Sequence, residues 1–351
     1  MGRKWRPGEL GVELTAPADL YSQCFSARLE EAYRYLDRLA LHFCFRAVRE
    51  TQLTGVAPEA QYLRQTVLDL LREKGFVATQ CPPDESARLQ QEARQACPEA
   101  TPIFELLARC HEHAPGFLTG RESGLSVIFP RGDLRLWERV HREDAVMSIY
   151  ADLVTPALAG GLRKGARVLE VGGGVGAVLD RCLPLLRERE VAEYRFTDLG
   201  KLFVQRREPM HAGDSFLRFA TVDLDSPLAA QSLEPATFDA VIGVNVLHSV
   251  RDLPFTLREL RATLRPDGCL ILGEGSPPRR GRRWPLDLVF AFLRGWWDVS
   301  LDARLRPRPG FLFPSEWIEL LRACGYQNIC ALPGESWFPR ACRGGLMVAQ
   351  P

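Results

Sequence analysis

Residues 167–176 read RVLEVGGGVG. A short apolar run, Val168, Leu169 and Val171, ends in glycines where a helix over Ala177–Glu188 can begin. That order predicts a strand, a tight turn and a helix, the opening βα unit of a nucleotide-binding α/β domain. Glycine suits such a turn because it takes φ > 0 without strain and lets a ligand lie on the backbone. The helix that follows presents unpaired N–H groups at its start.

Working outward, strand and helix alternate from Arg163 onward, the pattern of a parallel sheet covered on both faces. Strands are expected at Arg167–Val171, Glu193–Thr197, Phe216–Val222, Phe238–Val244 and Cys269–Gly273, with closing strands at Gln327–Leu332 and Gly345–Ala349. The intervening helices are expected at Ala177–Glu188, Leu202–Met210, Leu228–Ser232, Pro254–Leu264, Leu286–Trp297 and Pro314–Cys324. Before residue 160 the signals are helical. Ser26–Thr51 places Leu29, Ala32, Tyr33, Leu36, Leu39, Ala40, Phe43 and Ala47 three and four apart. Further helices are expected at Glu59–Lys74, stopped by Gly75, and at Ser86–Ala96, Pro102–His113 and Leu134–Leu158, with a turn or short strand at Ser126–Pro130. A helical region of this length ahead of a glycine-turn domain reads as a lid that contributes to a substrate pocket. The expected division is a helical lid and substrate-binding region over 1–160 and a cofactor-binding core over 161–351.

The balance of 45 basic and 44 acidic residues, net +1, excludes a nucleic-acid binder that works through a broad basic face. The start, MGRKWRPGELG, leads into polar sequence, and Trp284–Trp297 is interrupted by Asp287 and Arg294 and is too short to span a bilayer. A soluble, cytoplasmic chain with no membrane partner is expected. Its 10 cysteines form no CxxC pair and no metal-spaced cluster with histidine, so they read as reduced packing thiols and no metal site is expected.

The glycine turn is sharpened by its acidic neighbours. A dinucleotide site has G-x-G-x-x-G after its first strand, whereas here Glu170, Gly172, Gly174 and Gly176 form E-x-G-x-G-x-G. Asp198 ends the second strand in FTDLG, and Asp223 ends the third in TVDLD. Singly, each also has a plainer reading as a turn, a helix cap or a loop acid. Together, at the ends of three successive strands, they resemble the cofactor site of the class I S-adenosylmethionine-dependent methyltransferases.

A narrower resemblance rests on more of the chain. GVNVLHSVRDL (243–253), LILGEG (270–275), LDLVFAFLRGWW (286–297) and RPRPGFLFPSEWIELLRACGY (306–326) resemble methyltransferases embedded in, or acting beside, modular polyketide synthases. YLDRLALHFCFRAVRE and SVIFPRGDLRLWERVHRED resemble that family's helical N-terminal part. The turn reads GGGVG where many relatives have GAGTG, and His248 is followed by Ser-Val in place of Ala-Thr, which leaves the subfamily open.

The resemblance implies a Rossmann-like α/β sheet, mostly parallel with an antiparallel last strand, behind an N-terminal helical lid. It implies S-adenosylmethionine held by Glu170, Gly172, Gly174, Gly176, Asp198, Asp223, Leu224 and Asn245, with S-adenosylhomocysteine as product. It implies a substrate tethered through phosphopantetheine to an acyl carrier protein, in a free-standing enzyme or as part of a larger synthase.

Methyl transfer is an in-line displacement, so the protein aligns the donor and acceptor and removes a proton from the acceptor. His248 and Glu274, at the ends of adjacent strands, suit this: imidazole titrates near the working pH, and a carboxylate orders its tautomer. Other readings stay open, including a pairing of Glu274 with Arg279 or Arg280, a metal held by the pair, a non-catalytic relic of a synthase module, and a nicotinamide enzyme. Asn245 is expected on the His248 strand and facing the same side. Tyr33, Tyr150 and Trp296 are candidate substrate contacts, and PPRRGRRWP (277–285) is either a solvated loop or a seat for an acidic carrier. The GFLFPSEW and GEG segments resemble the O-methylating branch, which makes a β-hydroxyl the preferred acceptor and the α-carbon of a β-ketoacyl chain the alternative.

Overall fold

The computed structural model describes residues 26–77, 82–332 and 344–351. The opening MGRKWRPGELG and the cysteines at 24, 81 and 342 lie outside the described residues. The chain folds as two units.

The helical unit contains the described residues up to Ser148 together with Pro277–Asp298. Helix α1 (Ala27–Thr51) starts at Ser26, whose Oγ accepts the Leu29 N–H at 3.5 Å, and buries the apolar stripe the spacing predicts. A 3-10 turn, Pro58–Ala60, leads into α2 (Gln61–Glu73). Gly75, at φ 77°, ends α2 where the spacing placed a stop, and the next N–H, from Phe76, reaches back to the Leu71 carbonyl. Helices α3 (Ser86–Ala96) and α4 (Thr101–Leu118) follow, α4 running on past the expected His113 and through Pro115.

Ser126–Pro130, expected as a turn or short strand, instead runs from the end of a helical turn α5 (Gly124–Ile128), capped by Ser123, into a 3-10 turn at Pro130–Gly132. A side chain at Gly124 would run into the Phe292 carbonyl, so tertiary packing selects both the glycine and the turn. The expected helix Leu134–Leu158 is broken into α6 (Arg135–Arg142) and α7 (Ile149–Gly161). The break is made by Asp144, whose carboxylate accepts the N–H groups of Ile103 and Val146, each at 2.9 Å. The expected helix Leu286–Trp297 is two short turns, Asp287–Phe290 and Arg294–Trp297.

The α/β unit contains Ile149–Ser276 and Val299–Pro351. Helix α7 belongs here, not with the helices before it, because Tyr150 and Val154 lie directly on Gly273 of the sheet. The domain boundary is therefore at 148/149, not at 160, and Pro277–Asp298 returns to the helical unit.

The strands are β1 (Arg167–Val171), β2 (Glu193–Asp198), β3 (Leu217–Thr221), β4 (Phe238–Val244), β5 (Leu264–Gly275), β6 (Gln327–Leu332) and β7 (Gly344–Gln350). Their order is β3-β2-β1-β4-β5-β7-β6. All neighbours are parallel except β7, which runs antiparallel to both β5 and β6. Helices α8 (Ala177–Glu188), α9 (Lys201–Arg207), α10 (Leu253–Thr263) and α11 (Pro314–Ala323) connect the strands. The centre of the sheet is near-continuously apolar: Val168, Leu169, Val241, Ile242 and Ile271 have no exposed surface. Each such side chain contributes about 1.5–3 kcal/mol relative to exposure. From β1 the chain moves to one side of the sheet, to β2, and from β4 to the other, to β5, so a crevice opens at the carboxyl ends of the parallel neighbours β1 and β4. Among the described residues no helix is long and apolar enough to cross a membrane.

Candidate active site

The turn after β1 carries the three spaced glycines of the motif, with φ of 61° at Gly172, 51° at Gly174 and 77° at Gly176, where α8 begins. At Gly172 the constraint is double, since a Cβ would also stand 2.1 Å from the Val246 side chain. Among the described residues a Cβ at Gly174 would meet only the Gly172 carbonyl at 3.9 Å, which leaves the backbone there open as a cradle in which a ligand can lie.

Asp198 fastens this turn: its Oδ2 accepts the Gly174 N–H at 2.8 Å and its Oδ1 the Gly200 N–H at 2.6 Å. Burial raises its pKa. A carboxylate has about four acceptor positions, so two remain for the hydroxyls of a ligand. Glu170 points away from such a role. It is enclosed in the sheet, accepts the Tyr194 hydroxyl at 2.8 Å, and is pushed up to about 8 by burial.

Asp223 ends the third strand region in a tight loop, accepting the Asp225 N–H at 3.0 Å and the Ser226 hydroxyl at 2.8 Å. Leu224 packs in the core beside Val222, and its carbonyl accepts the Thr256 hydroxyl at 2.9 Å. Arg207, which no spacing argument singled out, lies beside Gly176, pairs with Asp180 and donates to His211 Nε2 at 2.9 Å. It is one buried cation close to the glycine turn, and it lowers the pKa of Glu170 against the effect of burial.

Asn245 and His248 do not share a strand. β4 ends at Val244, Asn245 takes the left-handed conformation at φ 48°, and His248 sits in a 3-10 turn, Leu247–Ser249. Asn245 ties β4 to β5: its N–H donates to the Gly273 carbonyl at 2.8 Å and its Oδ1 accepts the Gly275 N–H at 3.0 Å. Its Nδ2 is buried and has no partner among the described residues, a donor left for a ligand.

His248 and Glu274 do come together. Nδ1 of His248 and Oε2 of Glu274 are 2.6 Å apart, and Glu274 Oε1 accepts the N–H groups of Val246 at 3.1 Å and Leu247 at 2.9 Å. Both residues are buried, with 6% and 1% of their surfaces exposed. The carboxylate thus holds the imidazole and the turn that carries it. The proton on Nδ1 donates to Glu274, which puts the ring lone pair on Nε2. The Phe311 ring lies 4.3 Å from the imidazole centroid and also covers Gly275, a contact that only the fold reveals. Glu274 is therefore engaged by His248. Among the described residues no cluster of three or more His, Cys, Asp or Glu is placed to hold a metal.

The three candidate substrate contacts fall in different surroundings. Tyr150 is buried on β5 and β7, against Gly273 and Gly344. Tyr33 and Trp296 are core residues of the helical unit, Tyr33 beside Trp284 at 6.5 Å and Trp296 stacked on Phe290 at 4.6 Å. In the Arg-rich segment, Arg283 is committed to its own unit: it donates to Asp69 at 3.0 Å and to the Tyr62 hydroxyl at 2.7 Å.

A methyltransferase domain family model matches residues 169–270. Polyketide synthase ThaQ of Burkholderia thailandensis is 33% identical over 229 residues, covering 61% of this chain and 11% of the synthase. Polyketide synthase ThaG of the same organism is 32% identical over 290 residues, covering 78% of this chain and 5% of the synthase. The chain thus spans about a tenth or less of these curated relatives. Among solved structures, the CurJ carbon methyltransferase matches with a TM-score of 0.87 and 25% identity, covering 98% of this chain and 99% of that one. The open backbone at Gly174, the remaining acceptor capacity of Asp198 and the unpartnered Asn245 Nδ2 fit the cofactor of such enzymes. The chain belongs to the class I S-adenosylmethionine-dependent methyltransferases of the polyketide synthase type, and S-adenosylmethionine is its cofactor.

Proposed function

We propose that the protein methylates the α-carbon of a β-ketoacyl thioester carried by an acyl carrier protein, within or beside a larger polyketide synthase. The observation that carries this reading is the His248–Glu274 pair, in a chain that resembles a carbon methyltransferase over nearly its whole length. The relatives named as polyketide synthases support the synthase setting.

S-adenosylmethionine supplies an electrophilic methyl group when bound, with Gly172, Gly174, Gly176, Asp198, Asp223, Leu224 and Asn245 as the residues that would hold it. His248 Nε2 takes the α-proton, which the two flanking carbonyls make acidic, and Glu274 stabilises the imidazolium that forms. Burial of the pair keeps water from competing for that proton.

The segments that favour a β-hydroxyl acceptor have other work in the fold. Glu316 of GFLFPSEW accepts the Phe313 N–H at 2.7 Å and pairs with Arg308, and Glu274 of GEG holds His248. Neither arrangement discriminates oxygen from carbon, so the likeness to a carbon methyltransferase decides our choice of acceptor.

The test offers β-ketoacyl and β-hydroxyacyl carrier thioesters with S-adenosylmethionine and locates the added methyl by mass spectrometry. The expected product carries it on the α-carbon of the ketoacyl chain. A methyl found only on the hydroxyl oxygen of the hydroxyacyl chain would overturn this reading in favour of O-methylation.

A further inference from the structure

The turn that carries His248 is fastened from below by an arginine with no surface exposed. Arg306 Nη2 donates to the His248 carbonyl at 2.6 Å, and Nη1 donates to the carbonyls of Val250 at 2.6 Å and Arg251 at 3.3 Å. Among the described residues no carboxylate lies within ion-pair distance of it; Asp225, Asp252 and Glu274 act on it from further away. Burial lowers its pKa only to about 10, so the guanidinium is charged at neutral pH.

A buried cation without an adjacent counter-ion is costly, and an apolar side chain would fill the same space at less expense in desolvation. What the guanidinium adds is a planar fork of donors that reaches three carbonyls at once, which neither lysine nor an apolar group reproduces. The supporting loop is itself ordered. Asp302 and Arg306 exchange backbone hydrogen bonds at 3.0 and 2.9 Å, and Asp302 Oδ1 accepts the N–H groups of Arg304 and Leu305. On the other side, Asp225 Oδ1 accepts the Arg251 N–H at 2.7 Å. Glu274 therefore orders the ring and its proton, while Arg306 orders the main chain on which the ring stands.

We infer that Arg306 is a positioning residue for His248: by holding the carbonyls of His248, Val250 and Arg251 it sets where the imidazole meets the acceptor proton. The inference rests on His248 being the base, as under Proposed function. A displacement of about 1 Å in such a group can cost on the order of 100-fold in rate, which is the leverage this contact has.

The experiment uses the full chain, S-adenosylmethionine carrying a labelled methyl group, and the acetoacetyl thioester of N-acetylcysteamine as acceptor. Wild type, His248→Ala, Arg306→Lys and the double variant are compared for kcat, KM and cofactor Kd. Arg306→Lys is expected to lower kcat by about 10- to 100-fold, with KM and Kd changed by less than about twofold. In the His248→Ala background the same substitution is expected to have no further effect on the residual rate, because the group it positions is gone. Additive losses in the double variant, or an unchanged kcat for Arg306→Lys beside an impaired His248→Ala, would overturn the inference while leaving His248 as base. An unimpaired His248→Ala would overturn the reading on which it rests. Should Arg306→Lys not fold, Asp302→Ala loosens the same loop from an exposed position. It is expected to reduce kcat by about threefold, again with no effect in the His248→Ala background; any effect there, or no reduction in kcat, would overturn the inference.

Discussion

The turn after β1 and the turn after β4 stand at neighbouring strand ends, but they are held in different ways. The first is shaped by its own residues: Gly172, Gly174 and Gly176 supply the positive φ, and one carboxylate, Asp198, fastens it to β2. The second is shaped by distant residues. Glu274 comes from β5 and Phe311 and Arg306 from a loop some sixty residues along the chain, while the turn's own sequence supplies chiefly the imidazole. A cofactor cradle needs backbone that a ligand can approach, which local glycines provide. A general base needs an aimed and buried side chain, which takes support from several directions.

The sharpest way to break this contrast is Gly172→Val, because Gly172 touches both turns through Val246. The strained φ and the collision together are expected to cost several kcal/mol, on the order of 3–5, and to abolish cofactor binding and transfer alike. Calorimetry and a thermal melt check both; a folded variant that still binds the cofactor would show that the two turns are not coupled there.

Next in size, His248→Ala is expected to reduce kcat by about 10²- to 10⁴-fold while cofactor affinity changes little. Equal loss of both would make His248 a structural residue. Glu274→Gln separates charge from shape, since Gln keeps an acceptor for the Val246 and Leu247 N–H groups but no longer stabilises an imidazolium. A loss in kcat on the order of 10- to 100-fold is expected at near-wild-type melting temperature, and a large fall in that temperature would assign Glu274 to stability instead.

Gly174→Ala tests the cradle without a clash. Its φ of 51° makes alanine costly by about 1–2 kcal/mol, and the methyl would project into open space. Cofactor Kd is expected to rise about tenfold with kcat little changed; weakened transfer at saturating cofactor would contradict a purely binding role.

The smallest expected effect concerns pH. Glu170 is pushed up to about 8 and Asp144 up to about 7, so both hold a proton in the folded chain that the unfolded chain releases near its ordinary carboxylate pKa. Their contribution to stability is fully present below about pH 4 and is lost as pH rises through 7 to 8. The cofactor-free protein should therefore melt at lower temperature as pH rises across that window, and Glu170→Gln should make the decline shallower. An unaltered slope would mean that Glu170 is ionised in the folded protein.

Much of the α/β unit was legible because its elements are dictated locally. β1, β4 and α8 lie where apolar runs, glycines and helical spacing place them. The helical unit was less legible where long-range contacts override pattern. Asp144 breaks a stretch that reads as one helix by capping the start of α4, and Gly124 forms a helical turn because Phe292 leaves no room for a side chain. Arg283 shows the same for function, since a residue in a basic run that reads as a candidate carrier seat is bonded to Asp69 and Tyr62.

By itself the sequence determined the cofactor turn, the succession of strands and helices along the α/β unit and the identity of the His248–Glu274 pair, because period, glycine placement and strand-end acids are short-range properties. Only the tertiary structure decided how that pair is held. The sequence separations of 26 from His248 to Glu274 and of 58 from His248 to Arg306 are closed by β4–β5 pairing and by burial, which no local pattern encodes. Short-range sterics choose the conformation of a turn. The aim of a buried side chain is chosen by whichever distant groups satisfy its hydrogen bonds.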